Sequence, residues 1–174
     1  MFSIKLNKYL FSINFKMSGL KNLEIIKGDI LESKADVIVH QCNCITNNAK
    51  GLAYKINNKF PYADIYKNRT TADTPGTCKL QFAENLPIIA CLLGQYYPGK
   101  VKGYDSADAR VSWFSMSLTD LSNKLENLEV KTIAFPGNIG CGLAGGDWDT
   151  YYAIIQKFAE NNSKYEIKIY ELEN

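Results

Sequence analysis

The 174 residues include one histidine, two tryptophans and five prolines, and the formal charge nearly cancels at +2. A balance this close to zero gives no bulk electrostatic argument for nucleic-acid or membrane binding. No apolar run approaches a membrane span, so no membrane partner is expected. The five cysteines, Cys42, Cys44, Cys78, Cys91 and Cys141, are odd in number and scattered. That excludes a disulfide framework and reads as free, core-filling thiols in a reducing compartment, the cytoplasm or nucleus. Cys42 and Cys44 are too close together for a zinc knuckle, and His40 is the lone histidine. No His, Cys and carboxylate cluster stands at ligand spacing, so neither a metal nor a cofactor is expected. Internal repeats, low-complexity stretches and linkers are also missing. What is present, 46% hydrophobic and 22% charged residues, suits one globular domain with a real core.

Two glycine-rich loops dominate the rest. One runs from Val39-His40-Gln41-Cys42-Asn43 through Gly51-Leu52-Ala53. The other runs from Phe135-Pro136-Gly137-Asn138-Ile139-Gly140-Cys141-Gly142-Leu143 to Gly145-Gly146-Asp147-Trp148. Each follows an apolar strand and leads into a helix. A strand that ends in glycine before a helix aims backbone N–H groups at one spot, which favours an anion such as phosphate. Two such loops on one domain suggest a clamp around a diphosphate.

The elements interleave. Strands are expected at 23–26, 36–40, 77–82, 87–93, 130–135 and 165–172, the last as an edge strand. Helices are expected at 51–60, ended by Pro61, from Val111 with Phe114, Leu118, Leu121, Leu125 and Leu128 on its apolar face, and at 148–159. In the last, Trp148, Tyr151 or Tyr152, Ile155 and Phe158 face inward. This order predicts an α/β fold with a central mixed sheet and helices on both faces, its ligand at the carboxyl ends of the strands. Residues 1–19 differ. Lys5, Lys8 and Lys16 stand among large apolar residues without an acid. They read as an N-terminal arm outside a single domain at 20–174; a transit-type sequence and an upstream start before Met17 are the other readings.

At these residues the chain resembles the macro domain, a three-layer α/β/α module that binds ADP-ribose. The likeness runs from about Leu20 to the C-terminus. Gly28-Asp29-Ile30 looks like the family's adenine-end motif, and Asn43 stands where a ribose-contacting asparagine is expected. Gly140-Cys141-Gly142-Leu143 looks like the second phosphate loop, and Tyr170 matches an aromatic that packs by the adenine. His40 to Cys44, with Gly51-Leu52-Ala53 and Phe60-Pro61, most resembles the branch of ADP-ribose 1″-phosphate phosphatases, which borders on enzymes that remove ADP-ribose from proteins or nucleic acids. The double-asparagine, triple-glycine loop of the commonest hydrolase class is absent. Asn57 stands where another branch carries a lysine, so the resemblance does not imply a covalent lysine mechanism.

Each candidate has a plainer reading. Asp29 and Asp147 both suit helix caps, and Asn43 suits a loop-bonding asparagine. His40 at a strand end suits a structural residue; a pKa near neutrality also suits an acid. Asp105 and Arg110 start the long helix, with Arg110 read as a surface salt bridge rather than a phosphate contact, and Gln95-Tyr96-Tyr97 reads as a wall of the distal-ribose pocket or ordinary packing. The resemblance implies that Asp29, Ile30 and Tyr170 hold the adenine. The diphosphate lies between Gly51, Leu52, Ala53 and Pro136, Ile139, Gly140, Cys141, Gly142, Leu143. Asn43 takes the distal ribose, with His40 and Asp147 as acid/base candidates. The expected activity is hydrolysis of an ADP-ribose derivative by a monomer. Phosphate removal from ADP-ribose 1″-phosphate leads, ahead of cleavage of ADP-ribosylated protein or nucleic acid or of O-acetyl-ADP-ribose, with a non-catalytic reader as the alternative class.

Overall fold

The computed structural model of the chain describes residues 20–173, so the expected arm over 1–19 lies outside the described residues. In chain order the strands are β1 (Leu23–Lys27), β2 (Val37–Asn43), β3 (Cys78–Gln81), β4 (Ile88–Gln95), β5 (Thr132–Pro136) and β6 (Glu166–Glu171). The helices are α1 (Gly51–Lys59), α2 (Ala107–Leu125) and α3 (Trp148–Asn161), with two short 3-10 turns at Ile30–Glu32 and Pro61–Ala63. The strands form one sheet in the order β1-β6-β5-β2-β4-β3. β3 runs antiparallel to β4, and the other four pairings are parallel.

The apolar runs of β2 and β4 are buried on both faces because helices cover both. Val37, Val39, Ala90, Leu92, Ile133 and Phe135 pack under α2 and α3, which contribute Phe114, Leu118, Leu121, Leu125, Tyr151, Ile155 and Phe158. Ile38, Cys42, Ile89, Cys91, Leu93 and Ala134 face the other way, against Ala53 and Ile56 of α1 and against Phe60, Ala63 and Tyr66. The result is the expected three-layer α/β/α sandwich around a mixed sheet. On α3 the inward tyrosine is Tyr151, at 1% exposure.

Three local expectations need correction. α2 starts at Ala107 rather than Val111, because Ser106 caps it by accepting from Ala109 N–H at 3.1 Å. It ends at Leu125, leaving Leu128 in the turn beyond with 38% exposure. β6 is not an edge strand, since β1 pairs along its outer side from Leu23↔Ile167 to Lys27↔Glu171. Its alternation has another cause. Ile167 and Ile169 face the helix-covered core, while Glu166 and Lys168 face a side of the sheet that no long helix among the described residues covers there.

The parallel strands end together at one edge. Between the neighbours β2 and β5 the chain diverges: α1 leaves β2 towards one face and α3 leaves β5 towards the other. That is the crevice in which open α/β sheets hold ligands.

Candidate functional site

The loop after β2 is built around Asn43. Its Oδ1 accepts from Ile45 N–H at 3.1 Å, Thr46 N–H at 2.9 Å and Thr46 Oγ1 at 3.0 Å. The side chain is thereby fixed, and its Nδ2 has no acceptor among the described residues. Arg69 clamps the loop from outside, donating to the carbonyls of Asn43 at 3.0 Å and Thr46 at 2.5 Å while paired with Asp73 at 2.8 Å. The loop enters α1 at Gly51, with φ +58, and the residue before it, Lys50, supplies no side-chain cap. The first N–H groups of α1 are therefore unclaimed donors at the positive end of a helix.

The loop after β5 turns on Asn138 (φ 57) and Gly140 (φ 73). Its internal bonds are Cys141 N–H to Asn138 O at 2.9 Å, Gly145 N–H to Gly142 O at 3.1 Å and Gly146 N–H to Gly140 O at 3.0 Å. The N–H groups of Ile139, Gly140, Gly142 and Leu143 have no acceptor among the described residues. The fold brings the two loops face to face: a Cβ on Gly51 would stand 3.2 Å from Leu143 Cδ1. Ile139 itself is a core residue at 3% exposure, so only its backbone faces the crevice, whereas Leu143 is 66% exposed. Pro136 ends β5 buried beneath the loop.

At the far side of the crevice, Gly28 follows β1 and donates to Glu171 O at 2.8 Å. Asp29 is exposed and caps the turn Ile30–Glu32, its Oδ1 accepting from Leu31 N–H at 2.9 Å. Tyr170 lies alongside, its Cδ1 4.0 Å from where a Gly28 Cβ would be. Ile30 is buried in the α1-side core. Asp29 and Tyr170 therefore share one end of the edge on which Asn43, Gly51 and the 137–146 loop stand.

The acid/base candidates separate. Asp147 is exposed and caps α3; its Oδ2 accepts from Thr150 N–H at 2.9 Å and Thr150 Oγ1 at 2.6 Å. Those two donors hold its carboxyl below the ordinary value. His40 is 1% exposed, on the α1 side of the sheet, with Nε2 3.2 Å from Cys91 Sγ and Nδ1 3.6 Å from Cys42 Sγ. Enclosed by thiols, its ring has no face towards the crevice. The chain spacing hides this cluster because β4 supplies Cys91 opposite His40. His40, Cys42 and Cys91 do bring metal-capable atoms within 4.8 Å of one another, which the sequence reading did not anticipate. Burial raises the Cys42 pKa, yet the Cys91 thiol, the His40 ring and Tyr66 outweigh it and push the Cys42 thiol well below the ordinary range. Cys141 is pushed up to about 11, first by burial and then by the Asp147 charge.

Arg110 is the largest departure from the sequence reading. Instead of a surface pair, its guanidinium is 3% exposed and bidentate to the wholly buried Asp105, at 2.5 and 2.7 Å. Its remaining donors reach Gly99 O at 2.7 Å and Ala144 O at 3.1 Å, joining the loop after β4 to the loop after β5. Asp105 in turn accepts from Tyr97 N–H at 2.7 Å. Gln41 went unnoticed in sequence. Its Nε2 donates to Gln95 Oε1 at 2.8 Å, while its buried Oε1 has no hydrogen-bond partner among the described residues and lies under Gly140. Tyr96, Tyr97 and the 60% exposed Tyr104 form a cluster with ring centroids 5.0–5.7 Å apart, with Lys102 Nζ 5.7 Å from the Tyr97 ring. Tyr96 O accepts from Cys44 N–H at 3.1 Å, which places this cluster beside the first loop.

No protein-family model matches the chain. It is 23% identical over 168 residues to a DNA ADP-ribosyl glycohydrolase of Thermus aquaticus; the match takes in 86% of this chain and 41% of that protein, so this chain spans less than half of its length. The macrodomain of Mycobacterium tuberculosis DarG superposes with a TM-score of 0.71 at 19% identity, over 85% of this chain and 96% of that one. Thermosipho africanus DarTG in complex with ADP-ribose superposes with a TM-score of 0.63 at 19% identity, over 88% of this chain and 42% of that one. The fold is that of the macrodomains.

Proposed function

We propose that this chain binds ADP-ribose along the carboxyl edge of the sheet and hydrolyses the bond between its distal ribose and a larger partner. The observation that carries the binding is the pair of opposed loops. Unclaimed N–H groups at the start of α1 face unclaimed N–H groups of the 137–146 loop, with glycine at the points of closest approach. Such a cradle suits a diphosphate without a cationic side chain. Asp29 and Tyr170 sit where an adenine at one end of that diphosphate would lie. Asn43, its oxygen held by Ile45 and Thr46, presents Nδ2 at the other end as a donor to a ribose hydroxyl.

The Thermus relative and the complex of the Thermosipho protein support ADP-ribose as the ligand class. The tyrosine cluster beside the first loop favours a nucleic-acid partner, because an exposed ring such as Tyr104, backed by the half-buried Tyr96 and Tyr97, can stack on an unpaired base. Asp147 is the exposed carboxylate of the second loop and would orient water at the distal ribose. His40 has no part in this step.

Calorimetry with ADP-ribose tests the binding, and release of ADP-ribose from ADP-ribosylated single-stranded DNA tests the reaction. Asp147→Asn keeps a side-chain oxygen for the cap and removes the charge; the expected result is intact binding with lost turnover. Phosphate release from ADP-ribose 1″-phosphate without action on the DNA substrate would replace the glycohydrolase reading with a phosphatase. Binding without either activity would make the domain a reader, and absence of binding would end the proposal.

A further inference from the structure

His40, Cys42 and Cys91 lie on the face of the sheet covered by α1, and each is 0–1% exposed. The β2–β4 pairing sets His40 opposite Cys91, and the irregularity between Gln41 and Asn43 follows at Cys42. His40 Nε2 is 3.2 Å from Cys91 Sγ and 3.7 Å from Cys42 Sγ. Neither ring nitrogen has an oxygen or nitrogen partner among the described residues. A buried imidazole ordinarily finds a strong acceptor or donor, whereas sulfur is a weak one. This side chain's polar atoms therefore converge on two thiols and on nothing else.

The distances have a simple geometric reading. A cation about 2.0–2.1 Å from a histidine nitrogen and about 2.3 Å from a thiolate, at a tetrahedral angle, holds that nitrogen and sulfur about 3.5 Å apart. Cys91 Sγ, 3.2 Å from Nε2, is close to that span, whereas Cys42 Sγ stands 3.7 Å from Nε2 and 3.6 Å from Nδ1, off the lone pair of either nitrogen. The three ligand atoms together lie within 4.8 Å, so an ion bound at Nε2 beside Cys91 meets Cys42 Sγ once that side chain turns about its Cα–Cβ bond.

We propose that His40, Cys42 and Cys91 form a buried structural site for a single thiophilic divalent cation of the Zn2+ type. Two thiolates with a neutral imidazole carry two negative charges, and a divalent ion cancels them, as a site without water requires. The Ala63 carbonyl, 3.9 Å from Cys91 Sγ, and the Tyr66 hydroxyl beside Cys42 are the nearest candidates for a fourth position. The ion would clip β2 to β4 directly beneath Asn43. With no open face, it is taken up as the chain folds rather than afterwards. The site is independent of the ADP-ribose reading.

The test is to refold the reduced, untagged full chain with Zn2+, and separately with Co2+, then remove loose metal by gel filtration. Metal content and the thiolate-to-cobalt charge-transfer band are measured on protein shown to be folded by circular dichroism. The expected result is one ion per chain, lost in Cys42→Ala and in Cys91→Ala and kept in Cys44→Ala and Cys141→Ala. Folded wild-type chain without zinc or a cobalt–thiolate band overturns the proposal, as does equal loss in the Cys44 or Cys141 variants. Uptake of Cu+ in place of Zn2+ overturns the divalent assignment.

Discussion

Arg110 on α2 donates from Nη1 to the carbonyl of Ala144 at 3.1 Å, across 34 residues of sequence, while its Nε and Nη2 hold the buried Asp105. One guanidinium thus ties the loop after β4, the start of α2 and the glycine loop after β5 into a single body. Its planar fork meets the carboxylate and the carbonyls at once, which an ammonium does not do.

Removing one member of this pair leaves the other buried without a partner. Arg110→Ala is therefore expected to cost about 3–5 kcal/mol of stability, and Arg110→Lys to restore only part of it. Denaturant unfolding checks this. Because the lost contacts hold Ala144, ADP-ribose affinity should fall in Arg110→Lys even at temperatures where the variant is fully folded. Replacing both partners, as in Asp105→Asn with Arg110→Met, should destabilise less than Arg110→Ala alone.

Three glycines of the crevice should respond differently to alanine. At Gly140, with φ +73, a Cβ would stand 2.5 Å from Tyr151 Cε1 and 2.9 Å from Gln41 Oε1, both buried and held. Gly140→Ala should displace the second loop and abolish ADP-ribose binding. At Gly51, with φ +58, the nearest atom is the end of the exposed Leu143 side chain at 3.2 Å, which can move aside. The left-handed backbone then sets the cost of Gly51→Ala, about 1–2 kcal/mol. Gly142 has nothing within 4 Å, and Gly142→Ala should leave stability unchanged. Thermal unfolding and calorimetry on the three variants separate the cases.

Asp36 governs the expected acid response. It joins the start of β2 to the start of β5, its Oδ2 accepting from Lys131 N–H at 2.8 Å, Thr132 N–H at 2.9 Å and Thr132 Oγ1 at 3.0 Å. Partial burial raises its pKa, but these donors outweigh it and the net shift is downward. A folded-state pKa below the unfolded value adds stability that is fully present above the unfolded value, about 3.9, and is lost as pH falls through the folded value. Tm should therefore drop between pH 4 and the folded-state pKa below it. Asp36→Asn should be less stable than wild type at pH 6, with the difference narrowing as the pH is lowered through that window.

The sheet, the layers and the two loops were legible because they rest on local signals: apolar runs, helical spacing and glycine after a strand. The places of Asn43, Gly51 and Gly140 in those loops were readable for the same reason. What escaped depended on strand pairing across long separations. His40 reads in sequence as a structural residue and, three residues before Asn43, also as an acid candidate; strand alternation turns it towards α1, and Cys91, 51 residues away, completes its surroundings. Arg110 looked like a surface charge because nothing local shows that Gly99, Tyr97 and Ala144 aim their carbonyls at it. β6 looked like an edge because alternation reports which face lacks a helix and carries no information about whether a neighbour strand exists.

Tyr104 offers the cleanest separation of ligand binding from partner recognition. It is 60% exposed, and its ring packs on Tyr96 and Tyr97, with centroids 5.2 and 5.7 Å away, so truncation removes surface and little core. No side-chain hydrogen bond or ring pair joins it to either glycine loop among the described residues, and Tyr104→Ala should leave ADP-ribose affinity and Tm close to wild type. If the tyrosines stack on unpaired bases, each such contact contributes about 1–3 kcal/mol. Turnover of ADP-ribosylated single-stranded DNA at low substrate should then fall by about 5- to 160-fold, through KM more than kcat, since the lost contact is made equally before and during bond cleavage. A protein substrate, or ADP-ribose 1″-phosphate, has no base to stack there and should be turned over at the wild-type rate. An equal loss on all substrates would show instead that Tyr104 shapes the pocket, and no loss on any would remove the tyrosine cluster from the recognition surface.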